Sequence, residues 1–406
     1  MKKVFILQNS LVSFGLDVRK MHQPSKYELH LIINSFGEKI VKNQGHENYY
    51  KSITILQEFT LEAVVKIINE KRSFADECNV VTNSEETMPI CGEVRKYLNL
   101  DQQDYSRFFD KHVMKEKIKD NKDIFIPQYV IFDKKLYQEK GEKYLRPLVK
   151  NISIPFFVKP TCMYSSINIK KIDSYQDLCD WASYTPPGIY EIDEYIDGTM
   201  YHVDSFIKDN RILFSFVCQN SNPCYDFTIG KMKGTISLPR EDRKYIEINA
   251  VAEKVLYHLG SPRDGVTHME VIQKNNGNIY FVEIAHRSPG CLIPKMHQTN
   301  FGIDTIASHF LLQIDPDYMP ELQHKTYSAW ACYPKIPGVI RKLHELPAGL
   351  SSECDVDWLF SVGEEIKTYS TFGRDYIGTL FMKNKNFEKL YQEFIELNRL
   401  NLSVIE

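Results

Sequence analysis

The chain has 406 residues, 43% apolar and 25% charged, with 50 basic against 53 acidic side chains and a net charge of -3. That length is too great for one ordinary core and predicts two or three domains of a soluble globular protein. The balanced charge, with no basic block, argues against a nucleic-acid partner, and no apolar run approaches a membrane span.

Met1-Lys-Lys-Val-Phe-Ile-Leu7 holds too few apolar residues before Gln8 for a signal-peptide core, and nine cysteines without a Cys-x-x-Cys spacing fit reduced thiols. A cytoplasmic protein is expected. Val4–Leu7 and Leu29–Ile33 read as buried strands, and Leu61, Val64, Val65 and Ile68 form a helical stripe ahead of Asn79–Thr82. This alternation predicts an α/β domain with a parallel sheet over residues 1–105. No Gly-x-Gly-x-x-Gly follows the first strand; Gly15 stands alone, so this domain shows no dinucleotide fingerprint.

Residues 106–121 read as one helix with a basic side, on which Lys115 falls. Short strands are then expected at 126–132, 154–159, 167–172, 189–196, 202–208 and 211–219, followed by a helix over 247–259 with Ile248, Val251, Val255 and Leu259 on one face. A helix over Ile303–Leu312 precedes a β-rich tail closed by a helix near Phe387–Leu400.

Between these helices lies the most informative segment. Val266–Gln273 and Asn278–Ile284 flank Lys274-Asn-Asn-Gly277, and Asn276-Gly277 is a strong hairpin signal. A two-residue turn pairs Gln273 with Tyr280, Val271 with Val282, Met269 with Ile284 and Glu270 with Glu283. The carboxylates then share a face with Ile272, Phe281 and Ala285, which makes a freely solvated pair a poor description. Opposed like charges cost roughly 0.2–1 kcal/mol on a wet sheet and more when dry, so the pair calls for a hard divalent cation. Ala285-His-Arg-Ser-Pro-Gly290 places Arg287 directly beyond, and two magnesium-holding carboxylates beside an arginine are how nucleotide-phosphate sites are built.

Lys159 ends the strand Ile154–Lys159 ahead of the polar stretch Thr161–Ser166, well placed to meet phosphate, although an edge lysine in solvent is the plainer reading. Ile189-Tyr-Glu-Ile-Asp-Glu-Tyr-Ile-Asp-Gly198 reads as a strand ending in an acidic turn. Gly230-Lys-Met-Lys-Gly234 reads as a basic solvated loop that can add a phosphate contact.

In order, Asp110-Lys111…Lys115, Val158-Lys159-Pro160, Asp193–Gly198…His202, His268-Met-Glu270 and Val282-Glu-Ile-Ala-His-Arg287-Ser-Pro-Gly290 resemble the ATP-grasp superfamily, in its carboxylate-amine and carboxylate-thiol ligase branch. The resemblance implies an α/β and α+β chain with a Rossmann-like pre-domain (1–105), an ATP-grasp domain (106–315) and a β-rich C-terminal subdomain (316–406). It implies ATP and Mg2+ as cofactors, with Lys115 and Lys159 on the nucleotide phosphates, Asp193, Glu194, Tyr195 and Ile196 as the hinge that reads adenine, and His202 near the ribose. Glu270 and Glu283 match the magnesium ligands, Arg287 matches the arginine that meets the transferred phosphate, and Gly290 belongs to a substrate-side turn. Where relatives have a glycine-rich lid this chain has Cys162, Met163 and Tyr164, which leaves Ser165 and Ser166 as phosphate donors; Ala285 stands where many relatives have an asparagine.

The activity so implied is ADP-forming ligation. An amino acid or other small carboxylate is activated as an acyl phosphate and joined to an amine. The alternative acceptor is the thiol of an acyl-carrier protein, because Met200-Tyr-His-Val-Asp204 resembles the carrier-loading ligases of antibiotic biosynthesis. A non-catalytic nucleotide-binding regulator and a biotin-dependent carboxylase component are the remaining readings, and a homodimer is the expected assembly.

Overall fold

The computed structural model describes residues 1–9, 15–73, 76–163, 167–373, 375–400 and 402–406. Strands β1 (Lys2–Gln8), β2 (Tyr27–Ile33), β3 (Ser52–Ile55) and β4 (Cys78–Thr82) form a parallel sheet in the order β3-β2-β1-β4. Helix α1 (Ser35–Asn43) links β2 to β3, α2 (Leu61–Lys71) links β3 to β4, and α3 (Met88–Tyr97) follows β4. Val4 to Leu7 are fully buried, as a strand covered on both faces requires. Val64, Val65, Ile68 and Val94 cover Phe5, Leu7 and Val80. The other face is closed from far along the chain, by Ala307, Phe310, Leu311 and Ile314 against Val4, Ile6, Leu29 and Leu31.

The helix expected over 106–121 is divided. A short 3₁₀ turn at Tyr105–Phe108 precedes Asp110, whose carboxylate accepts from the N–H groups of His112 and Val113 and starts α4 (Lys111–Ile118). Next come β5 (Tyr129–Asp133), α5 (Lys134–Lys140), α6 (Glu142–Leu148), β6 (Phe156–Pro160), β7 (Lys170–Ile172), α7 (Tyr175–Tyr184) and β8 (Ile189–Glu194), with sheet order β5-β8-β6-β7. Helices α5 to α7 fall where only strands and loops are expected. They pack Leu145, Leu178 and Trp181 against Phe132, Val158 and Ile192.

The remainder is organised by one antiparallel sheet of eight strands in the order β13-β12-β9-β10-β11-β14-β18-β16. Its first members are β9 (Thr199–Lys208), β10 (Arg211–Asn220) and β11 (Lys233–Ser237), then β12 (Gly265–Gln273) and β13 (Ile279–Ala285) after helix α8 (Arg243–Leu259). Helices α9 (Ile293–Phe301) and α10 (Thr305–Ile314) follow, and α10 supplies the cover of the parallel sheet noted above. The tail adds β14 (Tyr327–Pro334), β15 (Gly338–Leu343), β16 (Glu353–Trp358), β17 (Glu365–Ile366), β18 (Tyr376–Asn384), α11 (Phe387–Arg399) and β19 (Ser403–Ile405). The large sheet is continuous across residue 316, since Thr235 of β11 pairs with Trp330 of β14.

The glutamate hairpin is less regular than expected. Lys274 donates its N–H to the Asn278 carbonyl at 2.9 Å and Gly277 donates to the Lys274 carbonyl at 2.9 Å, so the loop has three residues, with Gly277 at φ +90°. Gln273 therefore pairs with Ile279 and Val271 with Phe281, one residue from the expected register. The register then shifts between Glu270 and Val271, with Val282 as the extra residue, and restores the expected pairs of Glu270 with Glu283 and Met269 with Ile284. Phe281 consequently lies in the core with Val271 rather than on the carboxylate face.

Gly198, where the chain leaves β8 for β9, packs so closely that a Cβ would lie 2.3 Å from the Gln273 carbonyl oxygen. Gly198→Ala must push the β12 end away and is expected to cost about 1–3 kcal/mol in urea unfolding, whereas Gly277→Ala meets nothing and costs only its backbone strain.

Candidate functional site

A cleft of about 660 Å³ opens where the three sheets meet. Gln8, Asn83 and Glu85 border it from the carboxyl ends of β1 and β4, the edge at which open α/β sheets bind ligands. Lys159, Glu194, Tyr195 and Ile196 border it from the second sheet, and Lys233, His268, Glu270, Glu283 and Arg287 from the large one.

Glu270 and Glu283 face each other in this cleft, with unequal surroundings. Lys111 Nζ lies 2.9 Å from Glu283 Oε2 and also donates to the Met163 carbonyl at 2.6 Å. Burial works against the Glu283 charge, but Lys111, Lys159 and Arg287 hold its carboxyl below the ordinary range. Among the described residues Glu270 has no such lysine in contact; Cys224 Sγ at 3.6 Å and His268 Nε2 at 3.9 Å are its neighbours. Burial first, and then the charge of Glu283, push its carboxyl up to about 7. Two partly buried carboxylates, one of them pushed up by the other's charge, suit a divalent cation, which offsets both penalties at once.

Lys159 extends from β6 to Asp193 at 3.0 Å and Glu191 at 3.5 Å; against burial, these carboxylates and Glu283 hold its ammonium above the ordinary range. Lys115 meets the same two acids, Asp193 at 2.7 Å and Glu191 at 3.0 Å. It is fully buried, one turn of α4 below Lys111. Arg287 is paired with Glu85 at 3.2 Å, and the Ser288 N–H donates to Asn83 Oδ1 at 2.7 Å, so the end of β4 is tied to the segment after β13.

At the hinge, Glu194 and Tyr195 donate their N–H groups to the carbonyls of Gln128 and Pro155. Among the described residues the Ile196 N–H has no acceptor, and Ile196 borders the same cleft as the apolar Phe157, Ile169, Met200 and Ile272. A flat heteroaromatic ring needs such an apolar slot with a free backbone donor.

Residues 118–298 match a family model described as the D-ala D-ala ligase C-terminus. In structure, the chain is similar to an L-amino acid ligase from Bacillus licheniformis, with TM-score 0.71 over 100% of this chain and 98% of that one at 15% identity. It is also similar to a carboxyaminoimidazole ribonucleotide synthase from Aspergillus clavatus complexed with ATP, with TM-score 0.66, 12% identity and 97% of each chain covered. A third likeness is to an N5-carboxyaminoimidazole synthetase from Staphylococcus aureus complexed with ADP, with TM-score 0.64, 12% identity, and 98% of this chain and 97% of that one covered. This chain has the ATP-grasp fold. No curated protein matches it in sequence.

Within the ATP-grasp cleft the expected residues separate into two groups. Lys159, Glu194, Tyr195, Ile196, Glu270, Glu283, Arg287 and Gly290 border one space, as the sequence order suggests. Asp193 borders the same space, with its carboxylate turned to Lys115 and Lys159. His202 lies beside Glu270 on the neighbouring strand and is buried, away from the hinge slot; a ribose contact does not fit this position. Lys115 is likewise a correction, because its ammonium is enclosed by Glu191 and Asp193 and the lysine that reaches the glutamate pair is Lys111. Ser165 and Ser166 lie outside the described residues.

Glu191 was not foreseen as a site residue, and Lys233 was expected only within a basic solvated loop able to add a phosphate contact. Glu191 sits two positions before Asp193 on β8, so strand alternation puts both on one face and could have signalled it. Lys233 begins β11 instead of sitting in a wet loop, and against burial the nearby Cys224 and Cys291 thiols and Glu270 hold its ammonium above the ordinary range.

Two outcomes are expected. Lys115→Met leaves Glu191 and Asp193 underneutralised in the interior and is expected to destabilise the protein by about 3–5 kcal/mol in urea unfolding. A cation at the glutamate pair needs Glu270 ionised, and its carboxyl titrates near 7. Mg2+ affinity measured by calorimetry should therefore rise about tenfold from pH 6 to pH 8 and level off above, and an affinity constant over that range would remove Glu270 from the ligand set.

Proposed function

We propose that this chain is an ADP-forming ligase that activates an amino acid or another small carboxylate and joins it to an amine. The observation that carries the reading is the partly buried Glu270–Glu283 pair in the cleft, with Lys111, Lys159 and Arg287 as its nearby cations. The donor set fits magnesium: two hard carboxylate oxygens, one of them raised by its neighbour's charge. Glu270 and Glu283 would hold that ion, which when bound neutralises phosphate oxygens.

The chain's own groups supply the rest. The Ile196 N–H and its apolar slot seat the adenine, and the ammonium groups of Lys111 and Lys159 face the phosphates. Arg287, anchored by Glu85 at the end of β4, orients the carboxylate substrate against the phosphoryl group. A carboxylate oxygen attacks the terminal phosphorus and ADP leaves. The amine then attacks the acyl carbon, phosphate leaves with the carboxylate oxygen, and the nitrogen loses a proton. No side-chain nucleophile is needed, and an enclosed cleft keeps water from the acyl phosphate.

The likeness to an L-amino acid ligase over the whole chain supports an amino acid as the carboxylate and an amine as the acceptor. Nine free thiols support a reducing, cytoplasmic setting, and no helix of the described residues is long and apolar enough to cross a membrane.

ADP release screened over amino acids, with amine acceptors or with a carrier protein followed by intact-mass measurement, tests the reading. Turnover is expected with amines; an aminoacyl mass on the carrier protein would move the acceptor to a thiol in antibiotic biosynthesis. Glu283→Gln should lower ADP release at least 100-fold while the protein melts within a few degrees of the parent. Wild-type turnover in that variant would sink the assignment.

A further inference from the structure

Beside the glutamate pair, strands β9 and β12 build a second constellation that the ligase reading does not use. Glu270 pairs with His202 and His268 with Asp204 across these strands, so four polar side chains form a square on one face. Asp204 is completely buried. His268 Nδ1 lies 2.6 Å from Asp204 Oδ1, His202 Nδ1 lies 3.2 Å from Oδ2, and His297 Nε2, arriving from α9, lies 3.3 Å from Oδ2.

Only the first of these contacts is a hydrogen bond. Among the described residues, both ring nitrogens of His202, Asp204 Oδ2 and His297 Nε2 are buried without a hydrogen-bond partner. Unpaired polar atoms in an interior are costly, and three imidazoles converging on one carboxylate need something to bind. The donor atoms of His202, Asp204 and His268 all lie within 4.8 Å of one another. Ligands of a four-coordinate ion with bonds of about 2.0–2.2 Å stand about 3.3–3.6 Å apart, close to the 3.2 Å between His202 Nδ1 and Asp204 Oδ2.

We infer that His202, Asp204 and His268 bind a zinc-class transition-metal ion, separate from the cation of the Glu270–Glu283 pair. Two imidazoles and one carboxylate are a borderline-soft donor set that magnesium serves poorly. His297, whose Nδ1 is engaged by Thr305 Oγ1 at 2.9 Å, acts as a positioning residue that orients the Asp204 carboxylate from behind. His268 borders the cleft, while His202 and Asp204 lie deeper.

The test uses the full chain stripped with a chelator and then titrated with Co2+ and Zn2+ in excess Mg2+. One equivalent of Co2+ with the strong visible absorption of a four-coordinate ion is expected, as is one equivalent of Zn2+ in competition with a chromophoric chelator. Glu283→Gln should keep this binding. Asp204→Asn and His202→Gln should weaken it at least 100-fold, and His297→Gln should weaken it about 10–100-fold. Should Asp204→Asn fail to fold, the cobalt spectrum of the parent and the His202→Gln titration decide. A parent that binds well under one equivalent, or zinc binding that survives Asp204→Asn and vanishes in Glu283→Gln, overturns the site.

Discussion

Two like charges placed opposite each other on a buried strand pair are the constraint around which this molecule is arranged. The hairpin alone cannot keep Glu270 and Glu283 together, because each burial penalty adds to the repulsion. Cations therefore converge from elements far apart in sequence: Lys111 from α4, Lys159 from β6, Lys233 from β11 and Arg287 from the segment after β13. Those cations need partners of their own, and Glu191, Asp193 and Glu85 supply them. The interior of the cleft is thus a lattice of alternating charge. Such a lattice is specified by geometry more than by net stability, since replacing a buried ion pair with apolar packing is often neutral or better.

The same demand explains why the parallel sheet is joined to the rest. Its last strand leads to Asn83 and Glu85, which hold Ser288 and Arg287, while α10 closes its open face with Phe310 and Leu311. The N-terminal unit therefore shares its core with a helix more than 200 residues downstream, and movement of one must be felt by the other.

Much of this was legible in the sequence where a pattern repeats locally. Alternation and apolar runs located β1, β2, β4 and α2, and the Asn-Gly signal located the hairpin and its glutamates. Helices α5 to α7 escaped because their apolar positions are sparse and interrupted by Pro147 and by polar turns. Lys115 was expected at the nucleotide phosphates and is instead enclosed by Glu191 and Asp193, because residues four apart on a helix share a face and depth along that face is a tertiary property. His202 was misplaced for a related reason: strand pairing between β9 and β12 sets its neighbours, and no local spacing encodes that register.

The hairpin's two irregularities cancel. A tip one residue longer than expected shifts the strands by one, and the bulge at Val282 shifts them back before the glutamates are reached. The bulge thus acts as an expansion joint. The length of the solvent-facing tip is uncoupled from the alignment of the charged pair, so insertions or deletions at the tip can be absorbed within a few residues. Alignments that place gaps at the tip alone will misassign the positions from Ile279 to Val282 while still matching both glutamates.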